Sequence, residues 1–186
     1  MSTLYSKDKN KTESTSYTLS VFSENYSGLL LRVTQIFTRR KINIESLTTS
    51  ESEVHGVHRF TIVVNTTEET ARKLTDQLEK LVDVLFASYH KPEETVYQEI
   101  ALYKLRTATL VDTNVEKLVR DNNARFLSVG PEFSVVEKTG HKEETSALFS
   151  ALEPFGVHEF VRSGRVAILK EKKNLSTRLN ELELLN

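Results

Sequence analysis

The stretch that decides the fold is YTLSVFSENYSGLLLRVTQIF, at residues 17–37. Its first seven residues alternate partly between apolar and polar side chains, which predicts a strand. After a short polar turn, apolar side chains recur at helical spacing and predict an amphipathic helix. These side chains are Leu29, Val33, Ile36 and Phe37. A strand followed closely by a helix begins the element order from which the fold class is inferred.

The pattern continues in the order strand, helix, strand, strand, helix, strand. The later elements of this first series are predicted as strands over 42–50 and 57–65, a helix opening at Thr66–Glu69 with capping-box spacing, and a strand over 82–89. The order then repeats, with strands over 96–107, 124–129 and 133–138, helices over 113–122 and 143–152, and a strand or short hairpin over 156–169. The sequence therefore predicts an α+β protein of two tandem ferredoxin-like βαββαβ sandwiches.

The predicted domain boundaries follow this repeat. Residues 1–16 are a polar extension expected to be disordered, 17–90 the first domain, 91–95 a proline-containing linker, 96–170 the second domain, and 171–186 a tail. Leucines near helical spacing in the tail (175, 179, 182 and 185) predict a helix that docks on its own chain or contacts a partner. Since each domain has only about 75 residues, one core gives little stability, and we expect at least a homodimer.

Composition excludes several classes of protein. The 186 residues carry a net charge of −1 and show no basic excess, so no nucleic-acid partner is expected. No apolar run approaches the roughly 18 residues needed to cross a membrane. The chain has no cysteine, which removes disulfides, thiol catalysis and Cys-based zinc sites and fits the cytoplasm, the predicted location.

The turn Glu24–Gly28 is the main candidate for a binding site. Amides at the start of a helix, here those of residues 28–30, lack intrahelical partners and favour an anion such as a carboxylate. Asn25 adds an amide side chain beside them. This combination suits a zwitterionic amino acid. On the residues alone, ordinary capping of the helix by Ser27 or Asn25 is an open alternative.

Five stretches in consistent order, between Tyr17 and about Leu169, resemble one known family. They are SENYSGLLLRV at 23–33, NIESLT at 43–48, KLVDVL at 80–85, QEIALYKL at 98–105 and VRSG at 161–164. They resemble the small regulatory subunit of acetohydroxyacid synthase (acetolactate synthase), whose first domain is an ACT domain. The run NIESLT is the most specific of the five.

The resemblance implies a non-catalytic chain that activates a separate catalytic subunit and confers feedback inhibition by valine. Thiamine diphosphate, magnesium and FAD would belong to that catalytic subunit, and this chain would hold no cofactor or metal. Its homodimer would form through the ACT domain and bind valine between two such domains, with Asn43 supplied by the neighbouring subunit. The implied valine-binding residues are Asn25, Ser27, Gly28, Leu29, Asn43 and Thr48.

Other functions fit the sequence less well. A free-standing ACT-type amino-acid sensor, acting on transcription or another enzyme, is the main alternative, although no helix-turn-helix pattern is present. An acylphosphatase-type enzyme needs an arginine-lined first turn, whereas this turn carries Glu24 and no arginine before Arg32. The strand around Phe60 does not match an RNA-recognition module. His55 and His58 are predicted to lie in a surface turn without metal-ligand spacing.

Overall fold

A computed structural model describes residues 14–111, 113–171 and 177. This part of the chain divides into two compact units, the first running through Glu94 and the second covering Thr95–Lys170. Each unit combines an antiparallel sheet with two helices, which confirms the α+β class and the two ferredoxin-like sandwiches. The first 13 residues and the predicted leucine stripe of the tail lie outside the described residues.

The first unit has six main elements and ends in a short 3₁₀ turn. They are β1 (Thr15–Glu24), α1 (Leu29–Arg39), β2 (Ser46–Glu51), β3 (Val57–Thr66), α2 (Glu68–Leu78), β4 (Val84–His90) and the 3₁₀ turn Pro92–Glu94. The strands lie in the order β2-β3-β1-β4 with antiparallel neighbours. The two long strands β1 and β3 therefore form the centre of the sheet, and β2 is an edge strand.

Alternation along the central strands builds the core of the first unit. Leu19 lies opposite Ile62, and Val21 lies opposite Phe60. All four side chains are buried in one cluster with Phe37 of α1. Residues directly opposite each other on antiparallel strands point to the same side of the sheet, so this side faces the helices.

The starts of β1 and β2 differ from the prediction. β1 begins two residues early, because Thr15 already pairs with Thr66 on β3. β2 begins at Ser46 instead of Ile42, because the Ile42 N–H donates to the carbonyl oxygen of Phe37 at 3.0 Å. That bond closes the end of α1, so the residues before β2 belong to a helix terminus and not to the sheet.

The start of α2 and the start of β4 also shift. Thr67 caps α2 instead of Thr66, since its Oγ1 accepts from the Thr70 N–H at 3.3 Å. β4 begins at Val84, two residues later than predicted, because the Val84 N–H is held by the carbonyl oxygen of Leu81 at 3.0 Å in a turn. Local turns therefore set both boundaries.

The second unit repeats the arrangement with a divided last strand. Its elements are β5 (Thr95–Arg106), the 3₁₀ turn Thr107–Val111, α3 (Thr113–Asp121), β6 (Arg125–Val129), β7 (Phe133–Gly140), α4 (Lys142–Leu152), the 3₁₀ turn Glu153–Phe155, β8 (Val157–Arg162) and β9 (Val166–Leu169). The sheet order is β6-β7-β5-β8. Tyr103 lies in its core and donates its hydroxyl to the carbonyl oxygen of Thr145 at 2.6 Å. Burial raises the pKa of Tyr103 to about 12.

The last two strands do not form the hairpin that the sequence left open. β8 pairs with residues 101–105 of β5, and β9 pairs with residues 95–98 of the same strand. Ser163 lies between them. Its N–H donates to the Ile100 carbonyl oxygen at 2.8 Å, and its Oγ accepts from the Ile100 N–H at 2.9 Å. The serine hydroxyl thus takes the place of a backbone carbonyl where the strand is interrupted.

Glu144 gives the second unit a specific response to acid. Its carboxylate accepts the His141 N–H at 2.7 Å, and this bond holds the pKa of Glu144 below its ordinary value of 4.5. The unfolded chain then binds more protons at low pH, so this stabilisation is present above about pH 4.5 and is lost as pH falls through the lowered pKa. We expect the free energy of unfolding of Glu144→Gln, followed by urea denaturation, to approach that of the wild type as pH falls from about 7 to about 3. A difference in the free energy of unfolding between the two proteins that stays constant with pH would contradict this expectation.

Candidate functional site

The first turn of α1 opens without a side-chain cap. Gly28 is the N-cap residue and has a φ of 85°, in the left-handed region that favours glycine. Within the described residues no side chain makes a capping hydrogen bond at this end of the helix, so the alternative of capping by Ser27 or Asn25 is wrong. The Leu29 amide is bonded to the Tyr26 carbonyl oxygen at 3.4 Å. The donors directed outward are therefore the next amides along the helix.

A cavity of about 190 Å³ lies at this helix end. Residues from the β1–α1 turn and from the helix-facing side of β2 and β3 line it: Ser23, Glu24, Asn25, Tyr26, Gly28, Leu29, Leu30, Thr49, His58 and Phe60. It is smaller than the roughly 300–1,000 Å³ of pockets for drug-sized ligands, so it suits a small molecule. Leu29 and Phe60 are buried and give it an apolar wall, while Glu24 and Asn25 are exposed at its mouth.

The structure brings three of the six expected binding residues to this cavity. Asn25, Gly28 and Leu29 line it, and Ser27 is exposed in the turn beside it. Thr48 points to the other side of the sheet, because it lies opposite Thr61 on β3. The next residue, Thr49, lies opposite Phe60 and lines the cavity.

Asn43 lies apart from the cavity of its own chain. It follows the C-terminal end of α1, whereas Asn25 precedes the N-terminal end. A helix of 11 residues is about 16 Å long, so the two asparagines flank opposite ends of it. The Asn43 side chain is exposed and donates to Glu45 Oε1 at 3.3 Å. Within a single chain, Asn43 does not complete the cavity.

The sheet contributes residues to the cavity that were not predicted from the sequence. His58 was expected in a surface turn, but it is the second residue of β3 and lies opposite Ser23 of β1. Both line the cavity, together with Phe60. The period-two pattern of β3 places His58 and Phe60 on the same side of the strand. This pattern was the only sequence signal that could have linked His58 to the cavity. The pairing of β3 with β1, which brings them to the turn, was not visible in either strand.

Two contacts to Asp83, in the loop before β4, hold the end of β1 and the side of α1 in place. The Glu24 N–H donates to the Asp83 carbonyl oxygen at 3.0 Å. The Arg32 guanidinium is paired with the Asp83 carboxylate. This arginine is therefore engaged on the side of the helix and is not held in an anion-binding loop at the first turn.

Residues 14–111, 113–171 and 177 show neither a cluster suited to a metal ion nor a helix suited to a membrane. They contain no group of three or more His, Cys, Asp or Glu residues arranged to hold a metal ion. None of the helices formed by residues 14–111 and 113–171 is long and apolar enough to span a bilayer.

Gly28 offers a test of the turn that does not change a side-chain contact. A Cβ at this position would meet nothing within 4 Å, so Gly28→Ala introduces backbone strain alone. We expect about 1–2 kcal/mol of destabilisation in urea denaturation and a loss of ligand binding at the cavity. Gly56→Ala is the matched control, since Gly56 has a φ of 79° with equally open space. It should lose similar stability and keep binding; equal binding losses in both variants would contradict a specific role of Gly28.

Comparisons with known proteins cover both units. Residues 19–86 match the family model described as "AHAS small subunit-like ACT domain", and residues 98–171 match "Small subunit of acetolactate synthase". The chain is 37% identical over 161 residues to the acetolactate synthase small subunit of Mycobacterium leprae, covering 87% of this chain and 95% of that one.

Two further relatives agree. The acetolactate synthase small subunit of Bacillus subtilis is 35% identical over 147 residues, which cover 78% of this chain and 86% of that one. The crystal structure of the small subunit from Thermotoga maritima superposes with a TM-score of 0.77 at 29% identity, covering 85% of this chain and 99% of that one. The chain therefore belongs to the family of acetolactate synthase small subunits.

Proposed function

We propose that this chain is a non-catalytic regulatory subunit that activates an acetolactate synthase catalytic subunit and makes it sensitive to feedback inhibition by valine. The observation that carries the proposal is the uncapped start of α1, which opens on a small cavity with an apolar wall. Membership of the family of acetolactate synthase small subunits supports a catalytic partner of that enzyme. We place its reaction in the synthesis of branched-chain amino acids.

Each part of valine has a matching group at the cavity. The outward amides at the start of α1 suit the carboxylate, and the helix dipole adds to this preference. The oxygens of Glu24 and Asn25 suit the ammonium group. Leu29 and Phe60 suit the isopropyl side chain. Valine combines these three features in a molecule small enough for the cavity.

We further propose that a second chain completes the site with its Asn43. β2 is at the edge of the first sheet, and Asn43 lies just before it. Pairing of β2 with β2 of a second copy would extend the sheet and give a two-fold homodimer through the ACT domain. Valine would then hold two first units together, with Ser27 and Thr48 near the contact.

Inhibition requires that valine bind one arrangement of the complex better than another. A coupling of roughly 1–3 kcal/mol would change affinity about 5- to 150-fold. Thiamine diphosphate, magnesium and FAD belong to the catalytic subunit under this proposal, and the cytoplasm stays the predicted location. No structural observation favours the alternative of a free-standing sensor acting on transcription.

The direct test mixes the purified chain with the catalytic subunit and measures acetolactate output. We expect the chain to raise output and valine to lower it. Asn25→Ala should keep the activation and lose the valine effect, whereas Asn65→Ala, an exposed asparagine at the end of β3, should keep both. No activation, with or without valine, would contradict the proposed function.

A further inference from the structure

A buried hydroxyl without a hydrogen-bond partner lies at the cavity of the first unit. Ser23, near the end of β1, is fully buried and lines the cavity. Its Oγ has no hydrogen-bond partner within the described residues. A buried hydroxyl in this state costs free energy, and a hydrogen bond from a bound molecule would recover that cost. Ser23 is therefore a group that a ligand in the cavity can satisfy.

The pairing of β1 with β3 gives the cavity floor an apolar end and a polar end. Ser23 lies two residues after the buried Val21 and directly opposite His58. His58 in turn lies two residues before Phe60, and side chains two apart on a strand share a face. The half-buried His58 lines the cavity as well. The floor thus changes from Phe60 at one end to two hydrogen-bonding side chains at the other.

The depth of Ser23 decides which part of a ligand reaches it. Glu24 and Asn25 are exposed at the mouth, and the outward amides of α1 begin at the same turn. The carboxylate and ammonium groups of an amino acid are therefore held at the mouth, and its side chain is directed to the floor. A side chain branched at Cβ has one substituent for Phe60 and one for Ser23. A methyl suits the first, and a hydroxyl suits the second.

We propose that the cavity takes a β-hydroxy amino acid of the size of valine, with its hydroxyl bonded by Ser23 and His58. Threonine belongs to this class, since it has the shape of valine with one methyl replaced by a hydroxyl. The inference rests on the amino-acid site proposed above and adds a second class of effector to it. A site that can hydrogen-bond a ligand hydroxyl discriminates against the isostere that lacks it, so valine is the weaker ligand.

Calorimetry on the full chain with valine, L-threonine and L-allo-threonine tests the inference. The two threonine stereoisomers exchange the positions of the methyl and the hydroxyl, so only one of them directs its hydroxyl to Ser23. That stereoisomer should bind roughly 2- to 12-fold more tightly than valine, the contribution of one neutral hydrogen bond, and the other should bind less tightly than valine. If valine gives saturable heat and neither stereoisomer binds more tightly, the inference is overturned while the proposed function stands.

Ser23→Ala assigns the preference to this hydroxyl. The variant should bind valine at least as tightly as the wild type and should lose the preference for the favoured threonine stereoisomer. Ser20→Ala is the matched control, because Ser20 is also buried on β1 but points to the other side of the sheet. It should keep the preference. Equal weakening of valine and threonine in Ser23→Ala would place the hydroxyl on a carboxylate or ammonium group and overturn the inference.

Competition shows whether both ligands use the same cavity. Valine should displace the favoured threonine stereoisomer, whereas additive heats at saturation would place threonine at another site and overturn the inference. Heat from a threonine stereoisomer with none from valine would support the inference and contradict the assignment of valine as effector. No heat from any of the three amino acids would contradict both.

Discussion

Phe37→Ala should unfold much of the first unit and abolish valine binding. The Phe37 side chain is 1% exposed, on the face of α1 that packs in the core with Leu19 and Ile62. Truncation of a fully buried phenylalanine costs about 3–5 kcal/mol, because it removes apolar burial and leaves a cavity. Cores of domains this small supply only about that much stability. Urea denaturation and valine calorimetry measure the two effects.

The loss of stability should depend on how much side-chain volume is removed at position 37. Phe37→Leu keeps most of the apolar volume and should cost less than half as much as Phe37→Ala. It should also retain the heat of valine binding, since α1 would still hold its first turn over the cavity. If Phe37→Ala unfolded at the same urea concentration as the wild type, the packing of Phe37 in the core would not be what holds α1 on the sheet.

Arg162→Met should destabilise the second unit by about 3–5 kcal/mol, because it leaves a buried carboxylate unpaired. Arg162 Nε lies 3.3 Å from Glu99 Oε2, and only 6% of the Glu99 side chain is exposed. The Arg162 guanidinium also donates to Ser146 Oγ at 3.1 Å. Arg162 therefore pairs with a buried carboxylate, and it lies in the stretch VRSG.

A double-mutant cycle separates loss of the ion pair from loss of packing. Glu99→Gln combined with Arg162→Met removes both charges, and we expect it to recover most of the stability lost in Arg162→Met alone. Urea denaturation of the three variants gives the interaction energy. Additive losses in the double variant would contradict a coupled pair.

The order of the elements could be predicted because each has a strong local pattern. The alternation in β3 and the apolar stripe of α1 are both readable within about ten residues. Boundaries were less accurate where a turn competes with a strand. Ile42 has a side chain suited to a strand, but its N–H is used by the end of α1. Propensity alone does not reveal that competition.

The candidate site could be predicted only in part, since it is built from segments that are distant in the chain. The turn residues Asn25 and Gly28 are adjacent in sequence and carry a recognisable pattern. His58 reaches the cavity only through the pairing of β3 with β1. Thr48 and Thr49 differ by one position, which in a strand is the difference between opposite faces. That choice depends on register, which the sequence alone does not determine.

Asn43 does not line the cavity of its own chain. It flanks the opposite end of α1 from Asn25, so one chain alone does not bring both to the same cavity. If valine needs both asparagines, they come from different chains. Two variants that each fail to bind valine should therefore form intact sites when their chains are mixed.

The most direct measurement is valine calorimetry on a reassorted mixture of Asn25→Ala and Asn43→Ala. Each variant alone should give no saturable heat. A mixed dimer would contain one site with both asparagines mutated and one with both intact, so random reassortment should restore about a quarter of the wild-type sites. We expect recovery of that heat. No recovery from a mixture shown to contain mixed dimers would contradict a valine site shared between two chains.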